Sequence, residues 1–147
     1  VGHRRRLDHI AIAVRNLESS LSRWTALLGI EPSEVEIHSI ESEGVRVAML
    51  PLADGVMVEL MEPLSDQSPV ARFLERRGEG IHHFALRSKD PAKDLARARE
   101  IGLEAVGDGP VETTVGDLVA FLHPRSLNGV LLEFKQRREE RSHGGGT

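Results

Sequence analysis

At 147 residues, 39% hydrophobic and 29% charged with a formal net charge of −4, the chain has the size of one domain, able to bury about 68–70% of its unfolded surface. That charge balance gives no electrostatic reason to bind nucleic acid or a membrane surface, and no apolar run approaches the roughly 20 residues of a spanning helix, which leaves the cytoplasm as the expected compartment. Cysteine is absent, which excludes disulfides, thiolate ligands and a cysteine nucleophile, so any metal must be held by histidine, carboxylate or amide groups.

In chain order, residues 1–6 form a short basic extension, expected as a solvated tail. The first strand is expected over 7–14, where Leu7, His9, Ala11 and Ala13 share one parity and Asp8, Ile10, Ile12 and Val14 the other; the bulky apolar face is therefore opposite His9. Asn16 can cap a helix whose Leu17, Leu21, Trp24, Leu27 and Leu28 recur at helical spacing, with Gly29 as its stop and Trp24 read as core. Short strands follow at about 35–38, 45–50 and 56–62, with Glu43-Gly44 and Ala53-Asp54-Gly55 as turns. Glu59 shares its parity with Met57 and Met61.

A linker over 63–80 carries its own helix, capped by Ser68 with Pro69 in its first turn. The order then repeats. A strand at 81–87 leads to Asp90 as cap, Pro91 as first helical residue, a helix to Ile101 and Gly102 as stop. Strands are expected near 103–106, 118–123 and 130–135, with the turn 124–129 between the last two. His83 falls with Ala85 and Arg87, and His82 with Phe84 and Leu86 on the side a core would take, which nominates His83 over its neighbour. Beyond residue 135 the Arg/Glu run and the terminal glycines read as a second tail, 136–147.

The two halves keep equivalent residues in step: 83 − 9 and 133 − 59 both give 74, with each histidine in the first strand of its half and each glutamate in the last. Two imidazoles and two carboxylates suit a borderline divalent cation and leave positions on a six-coordinate ion for substrate. His9, Glu59, His83 and Glu133 are the expected metal ligands.

Several stretches carry a family resemblance: 8–14, Glu59-Leu60-Met61-Glu62-Pro63-Leu64, Ser68 to Leu74, Gly80-Ile81-His82-His83, Phe121-Leu122-His123-Pro124-Arg125-Ser126 and 129–133. Together they resemble the vicinal oxygen chelate superfamily and, within it, the methylmalonyl-CoA epimerases. The resemblance implies an α+β fold, with two tandem βαβββ modules (7–62 and 81–135, joined by the helix of 63–80) in a single domain whose curved sheet forms a cup around a metal. It implies a metal-dependent isomerase that interconverts the two epimers of methylmalonyl-CoA, an acyl-CoA as small-molecule partner, and a homodimer. Cobalt is the family-based choice of ion, zinc, manganese, nickel and magnesium being compatible with the same ligands. A lactoylglutathione lyase-type metalloenzyme and a non-catalytic ligand-binding member of the superfamily are the alternatives.

Inversion through a planar enolate needs a base on each face. The resemblance assigns one to Glu133. For the second, the Gly44-Val45-Arg46-Val47-Ala48-Met49 stretch lacks the glutamate some epimerases carry there, and Glu43 is the nearest carboxylate, with a water or Glu59 as the other options. Arg125 and Ser126 sit in the resembling turn, where they either meet the substrate carboxylate or hold the turn itself.

Overall fold

A computed structural model describes residues 4–141; the outer parts of both expected tails, 1–3 and 142–147, lie outside the described residues. The chain runs β1 (Leu7–Ala13), α1 (Leu17–Leu28), β2 (Glu36–Ile40), β3 (Val45–Pro51), β4 (Met57–Pro63), α2 (Pro69–Arg77), β5 (Gly80–Arg87), α3 (Pro91–Glu100), β6 (Ala105–Glu112), β7 (Leu118–Leu122), β8 (Leu132–Gln136) and α4 (Arg138–Arg141). The elements form the expected α+β order, two βαβββ modules joined by a helix-bearing linker. The chain forms two compact units, one spanning His9–His82 and the other made of the residues before His9 with those from His83 onward.

The helices begin where local chemistry dictates. Asn16, Ser68 and Asp90 each accept a hydrogen bond from a backbone N–H of the first turn, at Ser19, Val70 and Lys93 respectively. Pro69 and Pro91 occupy first-turn positions where the missing N–H costs no helical bond. α1 stops at Gly29, whose φ of 68° lies in the left-handed region.

In the first unit the strand order is β2-β3-β4-β1, with β1 parallel to β4 and the other pairs antiparallel. One face packs Ile12, Val14, Ala48, Leu50, Val58 and Leu60 against Leu17, Leu21, Trp24 and Leu28 of α1, so Trp24 is core as expected. The opposite face is also covered: Ala11, Ala13, Val45, Val47 and Met61 pack with Val70, Phe73 and Leu74 of α2. Small Ala11 and Ala13 are completely buried there. The face opposite the bulky residues of β1 is thus a second packed surface, and it is the face of His9 and Glu59 by strand parity.

The second unit repeats this as β5-β8-β7-β6, with β5 parallel to β8. Phe84, Leu86, Ala120, Leu122, Leu132 and Phe134 pack against Leu95 and Ala98 of α3. His83, Ala85, Phe121 and Glu133 have the opposite parity, so the metal-ligand candidates of each module stand on the face turned away from its module helix.

Three expectations are corrected here. β6 runs to Glu112 rather than ending near Val106, because a register shift between Val106 and Val111 lets the Gly- and Pro-containing stretch rejoin β7. The residues after 135 are not a loose tail as far as Arg141. Arg137 Nε lies 2.7 Å from Asp8, Arg138 N donates to Asp117, and Arg141 donates to the Gly116 carbonyl. The basic N-terminal stretch is likewise tied down, Arg5 forming a two-pronged pair with Asp94 and the Arg6 carbonyl accepting from Arg87 N.

Candidate active site

Parallel pairing builds the same small motif in each unit. In the first, Ala11 of β1 is level with Glu59 of β4, and in the second Ala85 of β5 is level with Glu133 of β8. The histidine stands two residues before that alanine in both cases, on the same strand face. Side chains set diagonally across a strand pair can meet, and they do: His9 Nε2 is 3.4 Å from Glu59 Oε2, and His83 Nε2 is 3.8 Å from Glu133 Oε1. All four residues are buried. The methyl-sized side chain opposite each glutamate leaves room above it for imidazole and carboxylate together.

Buried carboxylates are stable only with a partner. Each pair supplies one nitrogen and one oxygen donor of the kind a borderline divalent cation takes. The His83 ring is fixed from the side by the Phe121 ring, edge-to-face with centroids 5.6 Å apart. His82 faces the other way and meets Phe73 of α2 edge-on at 4.8 Å. Burial, aided by the nearby charge of Arg77, pushes the His82 imidazole down to about 4, so it stays neutral and packed. The two histidines thus lie on opposite faces of β5, His83 beside Glu133 and His82 beside Phe73.

Glu43 stands in the turn that leads into β3. It ends a 3-10 turn and is followed by Gly44. The β3–β4 register sets Glu59 opposite Met49 and Pro63 opposite Val45. Val45 is four strand residues from the level of Glu59, about 13 Å at ~3.3 Å per residue, and Glu43 lies beyond it.

Arg125 and Ser126 serve the turn between β7 and β8. The Arg125 guanidinium makes two hydrogen bonds to the Glu104 carboxylate at 2.8 and 3.0 Å, and its side chain is 69% exposed. Ser126 Oγ accepts from Glu104 N and donates to the His123 carbonyl, and His123 Nδ1 accepts from Arg125 N. Of the two roles the sequence leaves open for these residues, their observed bonds are those of the turn.

The sequence reading missed Asp8. It is 1% exposed and lies near three cations of its own unit: Arg137 Nε at 2.7 Å, Arg87 Nε at 3.7 Å and Lys135 Nζ at 3.7 Å. Lys135, itself buried, also reaches Asp117 at 3.5 Å. Arg87 and Lys135 share the strands and the parity of His83 and Glu133, so the cluster anchors the far ends of β5 and β8. The only sequence signal was an aspartate among apolar residues beside His9.

Residues 8–121 match the family model of the glyoxalase/bleomycin resistance protein/dioxygenase superfamily. An uncharacterized protein of Bacillus subtilis is 36% identical over 87% of this chain and 89% of its own length. The ethylmalonyl-CoA/methylmalonyl-CoA epimerase of Cereibacter sphaeroides is 37% identical over 89% of this chain and 97% of its own. The structure of Streptomyces coelicolor methylmalonyl-CoA epimerase, in complex with 2-nitronate-propionyl-CoA, superposes with a TM-score of 0.78 at 35% identity, covering 89% of this chain and 96% of that one. Among the described residues, no helix is long and apolar enough to cross a membrane. With matches that span most of its length, the chain belongs to the glyoxalase/bleomycin resistance protein/dioxygenase superfamily and, within it, to the methylmalonyl-CoA epimerase family.

Proposed function

We propose that the chain epimerises methylmalonyl-CoA at the carbon between thioester and carboxylate, using a divalent cation held by His9, Glu59, His83 and Glu133. The observation that carries this is the His–Glu pair built twice in one register, buried, on the face turned away from each module helix. In support, His9, His83 and Glu133 are buried residues that each offer one ligand atom, and the donors match borderline-ion chemistry. The named function of the relatives favours the epimerase over a lactoylglutathione lyase or a non-catalytic binder.

The chemistry follows from the groups present. The α-proton is acidic because the thioester delocalises the charge left behind, and a carboxylate within reach can take it. Glu133 is the base for one face. Burial of all four side chains keeps bulk water from the planar enolate before it is reprotonated. The cation, when bound, supplies Lewis-acid stabilisation of the negative charge that develops on oxygen. Cobalt is the proposed ion, and a cytoplasmic homodimer is part of the same family-based reading.

The test is to incubate metal-loaded protein with a single methylmalonyl-CoA epimer in deuterated water. Formation of the other epimer with deuterium at the α-carbon is expected, together with loss of both on chelation. A metal-loaded protein that neither exchanges nor inverts either epimer overturns the proposal. Ethylmalonyl-CoA in parallel measures how far the pocket admits a longer alkyl group.

A further inference from the structure

We infer that Phe121 and Val106 form the wall that receives the alkyl substituent of the substrate and sets how long that substituent can be. The inference deepens the epimerase reading above and rests on it. It uses residues of one unit only, the one that holds β5 to β8.

The strand registers set four side chains in a row across the sheet of that unit. Ala85 of β5 is level with Glu133 of β8, Glu133 with Phe121 of β7, and Phe121 with Val106 of β6. Residues level with one another in adjacent strands share a face, and neighbouring strands lie about 4.8 Å apart. The next pair along gives the other face: Ala105 is level with Leu122, and both pack in the core against α3. Phe121 and Val106 therefore stand on the face of Glu133 and His83, and the Phe121 ring meets the His83 ring edge-on.

The corresponding place in the first unit is filled by the chain itself. There the residue level with Glu59 on the antiparallel neighbour is Met49, which packs on the cluster that includes Val70 and Leu74 of α2. In the second unit Phe121 is only half-buried and Val106 is 44% exposed. The row thus passes from a buried carboxylate to an apolar surface that keeps access to solvent.

That order matches the substituents of the reacting carbon. A 2-alkylmalonyl thioester carries two polar groups on it, the carboxylate and the thioester carbonyl, and one apolar group, the alkyl chain. With the carbon at Glu133, the polar groups fit the His83–Glu133 end of the row, and the alkyl chain fits Phe121 in the next strand. A methyl group meets Phe121, and each further carbon extends toward Val106. In the planar enolate the alkyl group lies in the plane with the other two substituents, so it keeps its place while the proton leaves one face and returns to the other. One wall serves both epimers.

The test compares kcat/KM for methylmalonyl-CoA and ethylmalonyl-CoA in the metal-loaded parent, Phe121→Ala, Val106→Phe and Val111→Phe, each checked for metal content. Calorimetric Kd values for the equilibrated epimers of each substrate give a readout apart from turnover. The ethyl-to-methyl ratio does not depend on the fraction of enzyme that is folded, so a variant of reduced yield still reports. Phe121→Ala should raise that ratio about 10-fold or more and Val106→Phe should lower it by as much, the scale on which a pocket discriminates one methylene. Val111 is level with Val119, on the same face but outside the row, and Val111→Phe should leave the ratio within about threefold of the parent's. The Kd ratios should move in the same directions. A ratio within about threefold of the parent's in Phe121→Ala or in Val106→Phe, or an equal change in Val111→Phe, overturns the assignment of the wall. A parent protein that inverts neither substrate overturns instead the epimerase reading on which it rests.

Discussion

Asp8 shows how one residue can matter without touching chemistry. It is buried beside Arg137, Lys135 and Arg87, and removing one member of a buried charged set leaves the others without compensation. Asp8→Ala is therefore expected to lower unfolding free energy by about 3 kcal/mol, measured by urea denaturation. Arg125→Ala should cost under about 1 kcal/mol, because its pair with Glu104 is solvent-exposed and screened. His9 and Glu59 were legible from a repeat interval, since equivalent residues keep step when a unit is duplicated. The partners of Asp8 were not, because Arg137 is 129 residues away and sequence carries no distance between residues that far apart.

At the scale of elements, the turn before β3 is held by a close approach. Gly44 has φ of 67°, and a Cβ placed on it would stand 3.3 Å from Ser68 Cβ, where Ser68 caps α2. Its carbonyl accepts from Leu64 N at 2.8 Å. Gly44→Ala therefore meets both a left-handed backbone and a buried neighbour, and a loss of about 1–2 kcal/mol is expected from the backbone strain alone. Thermal unfolding of Gly44→Ala beside Gly78→Ala, whose Cβ would meet nothing within 4 Å, separates the contact from the conformation: the larger loss should fall on Gly44. The helices were legible because caps, prolines and stop glycines act locally. β6 was not, because its second half is extended only through pairing with β7 across a register shift.

For the molecule as a whole, the proposed cation binds side chains that only the folded chain brings to one buried strand face, so binding it adds to folding stability. At a free concentration of about 100 times its Kd, a ligand specific for the folded state contributes about 2.7 kcal/mol, or roughly 5–10 °C in Tm for a chain of this size. Cobalt titration followed by thermal unfolding should show that rise, chelator should reverse it, and His83→Ala should abolish it. By itself the sequence determined the order of elements, the duplication and the identity of the four ligand candidates, because periodicity, capping and interval are all properties of neighbours or of a repeated unit. Only the tertiary structure decided that each glutamate meets its histidine, that Arg125 and Ser126 bond within their own turn, and that Asp8 gathers cations from the far end of the chain. Those facts depend on strand register, and register is set by packing between strands that lie dozens of residues apart.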